Sequence, residues 1–340
     1  MVQRHHHTVV TRDGISLAVS SYQQEGVAPR EVALLLCAVG ARQERYEAFA
    51  RWLARDGWRV ITFDYRGIGR SVLEEGNRHT ASMRTWGEQD VTAVIQWACD
   101  TFSPERLVAV AHSIGGQILP FSENHSRLSA VALVASQRGC WLHWSGWKRY
   151  GVWLFFRLYI PLCLKLFGRL PLSFVGLDDL ERGVAEDYAR WGLDEHYLWP
   201  TGESRSARFS GCTFPLLALS FADDTFYAPR RAVQVLLHDY YVSAPALWCH
   251  VEHERLKLRG LGHSGFFDSE QCPESWWGEV SSWLRTASAS SALLPRREGA
   301  REPSLASIAV PVLRRPRAPQ MEIPQAAPAL ASGLGRGGTR

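Results

Sequence analysis

Over its first 135 residues the chain alternates short, wholly apolar runs with amphipathic stretches, and this alternation narrows the possible folds more than any other feature. Residues 32–38 are apolar throughout, as a strand covered on both faces should be. Residues 45–55 then place Tyr46, Phe49, Trp52 and Leu53 on one helical face, with Gly57 as the stop. Residues 60–63 read as the next buried strand. Residues 90–98 read as a helix, with Val91, Val94, Ile95 and Ala98 on one stripe. A strand at 107–111, a helix at 115–123 and a strand at 131–135 complete the series. Ahead of it, residues 8–11 and 15–22 flank Asp13-Gly14 and predict a hairpin. The order predicts a mostly parallel sheet with helices on both faces.

The alternation then stops and later resumes. Residues 136–213 are rich in aromatics, with Trp141, Trp144, Trp147, Trp153, Trp191 and Trp199. The first three are spaced to share one helical face. Residues 152–167 are strongly apolar, interrupted by Arg157, Pro161 and Lys165, and Pro161 should break or kink a helix there. Regular elements return as a strand at 216–221, a helix at 229–238, a strand near 254–258 and a helix at 273–285. An insertion of this size between strands of one sheet predicts a helical cap. The expected domains are therefore a core at 1–135 and 214–287, a cap at 136–213, and a tail at 288–340. The tail is read as disordered, since it has no apolar period and is rich in Pro, Arg and Ala.

Charge matters here only by location. The chain carries 38 basic and 34 acidic side chains, but from Thr286 onward there are eight Arg and three Glu. The remainder is nearly neutral, which argues against a nucleic-acid-binding domain. The longest run free of Asp, Glu, Lys and Arg is 16 residues, 107–122. A spanning helix needs about 20 mainly apolar residues, so no transmembrane segment is expected. The seven Cys are scattered without a CxxC pair and suit buried thiols in a reducing compartment. Met1–His7 has no apolar signal core, so the expected localisation is cytoplasmic. His5-His6-His7 is read as a flexible leading segment rather than a metal site.

One motif carries chemistry. Ala111-His112-Ser113-Ile114-Gly115-Gly116 follows an apolar strand and opens a helix, a variant of G-x-S-x-G. A serine on such a tight strand-to-helix turn has an exposed Oγ, and the N–H of Ile114 points into the same space. His112, adjacent along the turn, points away and is read as structural. A serine hydroxyl needs a base, itself oriented by a carboxylate. Asp223 and Asp224 follow the strand at 216–221, and His263 sits in a glycine-rich loop further on. All three places are C-terminal strand ends, where open α/β sheets bind ligands.

Over residues 8–285 these motifs resemble the α/β-hydrolase superfamily, and within it a bacterial group near the serine aminopeptidase and monoglyceride lipase relatives. Asp64 to Ser71 is similar to the family's D-x-R-G-x-G-x-S turn, and residues 111–117 to its elbow. Residues 262–267 are similar to the group's G-H-F-G-F-F loop, with Ser264 as a departure. The resemblance implies Asp224 as the triad acid, counting from Pro215, and leaves Asp223 to cap a loop. By the same match, Cys37-Ala38-Val39-Gly40 stands where relatives have His-Gly-x, so Val39 joins Ile114 as an oxyanion donor. Cys37 itself is read as a small buried residue.

The fold expected is an α/β-hydrolase sheet with an inserted helical cap. The function expected is a serine hydrolase of a carboxylic ester or thioester, with Ser113 as nucleophile, His263 as base and Asp224 as its orienting acid. The partner is a small-molecule acyl substrate, and no metal or organic cofactor is implied. An acyltransferase with the same residues, or a non-catalytic binding protein on the same fold, are the alternatives. The acyl group and the oligomeric state stay open.

Overall fold

The computed structural model describes residues 1–195, 206–253, 260–287 and 304–312. Among these residues nine strands form one sheet, in the order β1-β2-β4-β3-β5-β6-β7-β8-β9. They are β1 (Val2–Val10), β2 (Ser16–Gln24), β3 (Glu31–Leu36), β4 (Arg59–Phe63), β5 (Arg106–His112), β6 (Ala130–Val134), β7 (Leu216–Phe221), β8 (Ala246–Val251) and β9 (Ala309–Pro311). From β3 and β4 to β8 every pairing is parallel, and β1, β2 and β9 pair antiparallel. Consecutive buried residues in β3, such as Ala33, Leu34 and Leu35, require cover on both faces. Helix α1 (Glu47–Arg55) and the C-terminal helix Glu274–Thr286 meet through Phe49 and Trp277, whose ring centroids lie 5.3 Å apart.

Most predicted elements lie where expected, and the strand at 216–221 coincides with β7. Others differ for physical reasons. The hairpin extends back to Val2, so His5, His6 and His7 are strand residues rather than a loose leader. His7 Nε2 lies 2.8 Å from Ser21 Oγ across the pair. β8 precedes the predicted strand at 254–258, which lies outside the described residues. Trp141, Trp144 and Trp147 do not share a helical face. A single 3₁₀ turn, Trp141–His143, and a bend separate them; Trp144 is buried and Trp147 is exposed. Trp199 lies outside the described residues.

The cap is built on the helix Lys148–Phe167. Pro161 does not break it. The five residues just before, Phe155–Tyr159 and then Ile160, run as a widened π turn into the last segment, which relieves the missing donor and the ring clash. Among the described residues this is the one helix long and apolar enough to cross a membrane, despite Arg157 and Lys165 interrupting its sequence. One side of it is nevertheless packed into the protein, through Val152, Phe156, Ile160, Cys163 and Leu164. The helix Arg182–Leu193 lies against it. Asp178 fastens the cap to the core: its N–H donates to Gly40 O at 2.7 Å, and its carboxylate accepts from Gly69 N–H at 2.6 Å.

The tail expectation fails over residues 304–312. Leu305 is fully buried, and Ala309–Pro311 pairs with β8 as an antiparallel edge strand. Glu279 Oε2 accepts from Ser304 Oγ at 2.9 Å and from Ala306 N–H at 3.1 Å. The sequence signal is missing because only one side chain is deeply buried, which is too short for a period. The rest of the predicted tail lies outside the described residues.

Burying a leucine contributes about 1.5–3 kcal/mol, and the packed strand also covers the edge of β8. Truncation after Ala287 should therefore lower stability by about 2 kcal/mol in a denaturant titration. Truncation after Val312 should change it by less than about 0.5 kcal/mol. Equal stabilities for the two truncations would show that β9 contributes nothing.

Candidate active site

Strand ends place the candidate residues. Ser113 follows β5, Val39 follows β3, Asp224 follows β7 and His263 follows β8, all at the C-terminal edge of the parallel strands. Ser113 has φ of +52°, the left-handed region that non-glycine residues seldom occupy. Its N–H donates to Val134 O at 2.9 Å, which closes the turn against β6. A helical turn, Gly115–Ile118, leads away from it. The glycines there are required by space: a Cβ on Gly115 would lie 2.9 Å from Leu36 Cβ, and one on Gly116 2.5 Å from Ser136 Oγ. Ala111, which replaces the first glycine of the motif, fits fully buried in the sheet.

The two aspartates have different partners. Asp224 Oδ2 lies 2.6 Å from His263 Nδ1, so the ring nitrogen donates to it. The other oxygen, Oδ1, accepts from the N–H groups of Tyr227 and Ala228, both at 3.1 Å. That leaves the carboxylate fixed at both ends and almost fully buried. Asp223 instead accepts from Gly262 N–H at 2.7 Å and so holds the histidine loop. The Tyr227 ring packs beside His263 at 4.9 Å between centroids.

Ser113 and His263 open on one cavity of about 510 Å³. Its walls are mostly apolar and come largely from the cap, including Trp144, Val152, Phe155, Phe156 and Tyr188. Val39 lines it as well, beside the turn after β3. Among the described residues, the N–H groups of Val39 and Ile114 make no intramolecular hydrogen bond. Cys37 is buried with its Sγ 3.4 Å from Phe63 O, and burial pushes its thiol well above the usual range. Asp64 and Arg66 stay out of the cavity. Asp64 accepts from Gln43 and from Arg70 N–H, and Arg66 pairs with Asp13 and Asp90.

Sequence reasoning missed a buried polar chain behind the site. Tyr46 Oη accepts from Ala38 N–H at 2.7 Å and lies 2.8 Å from His112 Nδ1. His112 Nε2 lies 2.8 Å from the carbonyl oxygen of His263. A carbonyl only accepts, so Nε2 carries the proton and Nδ1 accepts from Tyr46. The chain ties the turn that presents Val39 to the loop that presents His263. Burial depresses the His112 pKa well below its ordinary value, and the imidazole stays neutral. Nothing in the spacing of Tyr46 marked it beyond a core aromatic.

Three comparisons bear on this geometry. Residues 28–172 match the family model described as serine aminopeptidase, S33. No curated protein sequence matches the chain. Among solved structures, an esterase from Pyrococcus furiosus superposes with a TM-score of 0.56 at 16% identity, covering 84% of this chain and 91% of that one. An esterase from Exiguobacterium antarcticum gives 0.54 at 16% identity, over 83% of this chain and 100% of that one. A hypothetical protein from Pseudomonas aeruginosa gives 0.55 at 13% identity, over 84% and 94%. At these identities the structures speak to the fold alone.

His112 supplies a test of the buried chain. Its folded-state pKa lies below its unfolded value near 6.5, so the unfolded chain takes up the extra proton as pH falls through that value. Stability should fall on acidification below about pH 6.5. In His112→Gln, which keeps a donor and an acceptor, that slope should be shallower by up to one proton. Identical slopes in denaturant titrations from pH 8 to pH 5 would contradict a neutral, buried His112. The elbow turn, the sheet order and the superposed structures agree on one architecture: the chain has the α/β-hydrolase fold.

Proposed function

We propose that the protein is a serine-dependent hydrolase of carboxylic esters or thioesters with apolar acyl groups. The observation that carries this reading is the 2.6 Å contact between Asp224 and His263, on a histidine that shares one apolar cavity with a left-handed Ser113.

The chemistry follows from those positions. Ser113 Oγ attacks the carbonyl carbon while His263 Nε2 takes its proton. The imidazolium is supported by Asp224, whose second oxygen is already saturated by Tyr227 and Ala228. Negative charge develops on the substrate oxygen and meets the N–H groups of Val39 and Ile114, two donors with no other partner among the described residues. His263 returns the proton to the leaving alcohol or thiol as the tetrahedral intermediate collapses. Water, deprotonated by the same histidine, then attacks the acyl-enzyme, and Ser113 leaves with the proton. The apolar walls from the cap suit a hydrocarbon chain and exclude water around the reacting carbonyl.

Ser113→Ala should abolish labelling by a fluorophosphonate and lower ester hydrolysis by several orders of magnitude. Asp224→Asn should lower kcat by about 10⁴-fold, and Asp223→Asn far less. The reverse ranking would move the acid role to Asp223, and undiminished labelling of Ser113→Ala would remove the nucleophile. Phe155→Ala should shift preference toward longer acyl chains and leave acetyl ester turnover within a few-fold. If added alcohols divert most of the product to new esters at low concentration, transfer rather than hydrolysis is the activity.

A further inference from the structure

The cap helix Lys148–Phe167 has a second side that the cavity does not use. Leu154, Leu158, Leu162 and Leu166 recur every four residues and stand 46%, 57%, 54% and 63% exposed. Trp147 and Phe167 prolong this face at the two ends, at 78% and 63% exposed. An uncovered apolar face of this length is unusual on a soluble monomer.

Within this stretch of chain the charges are of one sign, while Glu75, Asp179 and Glu181 stand near its Phe167 end and Asp179 pairs with Arg169. Residues 136–177 contain no Asp or Glu, while Lys148, Arg149, Arg157, Lys165 and Arg169 lie among them. Arg157 and Lys165 are exposed on the helix itself, and among the described residues neither forms an ion pair. Their long stems can lie along the leucines with the charged heads reaching outward. This is the pattern of a helix that rests in a bilayer interface, with apolar side chains below and cations among the headgroups.

We infer that this face docks on an anionic phospholipid surface, with the cap helix lying along the membrane rather than crossing it. A spanning orientation would expose the helix's other side, which is packed against the protein through Phe156, Ile160 and Leu164. Pairing with a second copy across a two-fold axis would set Arg157 and Lys165 against their own like charges. A bilayer carrying phosphates takes both the leucines and the cations. The inference stands on the helix's outer face and holds whether or not the hydrolase reading is correct.

The test is sedimentation of the full chain with vesicles of phosphatidylcholine alone and of phosphatidylcholine mixed with phosphatidylglycerol. The protein should bind the mixed vesicles at least tenfold more tightly, and added salt should weaken that binding. Leu158→Asp with Leu162→Asp should reduce it at least tenfold, with an unchanged circular dichroism spectrum and unchanged hydrolysis of a water-soluble short-chain ester. Arg157→Gln with Lys165→Gln alters only exposed side chains and should abolish the preference for the anionic lipid. No binding, or equal binding to both vesicles, would overturn the inference. A concentration-dependent dimer in analytical ultracentrifugation that the leucine variant abolishes would overturn it in favour of self-association. Loss of soluble-ester hydrolysis in Ser113→Ala with vesicle binding intact would separate the two readings.

Discussion

A serine held in the left-handed backbone region costs of the order of 1–2 kcal/mol, and Ser113 can occupy it only because its surroundings leave no alternative. Its N–H is spent on Val134 of β6, and the helical turn that follows is pressed against β3 by glycines with no room for a Cβ. Relaxing Ser113 to ordinary backbone would move the Gly115–Ile118 turn off the sheet. The strain therefore belongs to the whole β3-β5-β6 layer. In return it places Ser113 on the cavity at the strand ends.

The same logic extends outward from the serine. The turn after β3 and the loop after β8 come from distant parts of the sequence, yet both must sit against Ser113. A buried chain from Ala38 through Tyr46 and His112 to the carbonyl of His263 links them directly. Asp223 pins the histidine loop from its other side. The bonds from Ala38 through Tyr46 and His112 to His263 are neutral and mutually satisfied, and leaving one buried partner out would cost about 1–3 kcal/mol. Asp178 adds the last constraint by joining the cap to the Gly40 turn and to Gly69. The roof of the cavity and its floor are thereby held as one body.

Much of this was legible in the residues, because the relevant signals are local. An apolar run such as 216–221 is a strand wherever it is covered on both faces, and a serine between a strand and two glycines has few other uses. The choice of Asp224 over Asp223 was open on the residues alone and needed the likeness to a family. What could not be read depends on contacts between distant segments. Tyr46 looks like any core aromatic until His112 is beside it. Residues 304–312 have no period, so an edge strand anchored by the single side chain of Leu305 left no pattern. Pro161 predicted a break because the π turn that absorbs it has no sequence signature. The even spacing of Trp141, Trp144 and Trp147 suggested a helix that Gly146 and the bend around it do not allow.

The central claim is that Ser113 becomes covalently acylated during turnover. Rapid acid quenching of the protein with an activated long-chain ester, followed by peptide mass spectrometry, tests it most directly. The account predicts one acyl group on the tryptic peptide 107–127, localised to Ser113 and formed in a burst before steady state. Steady turnover of that ester with no adduct on this peptide, or with the acyl group on another side chain, would contradict it.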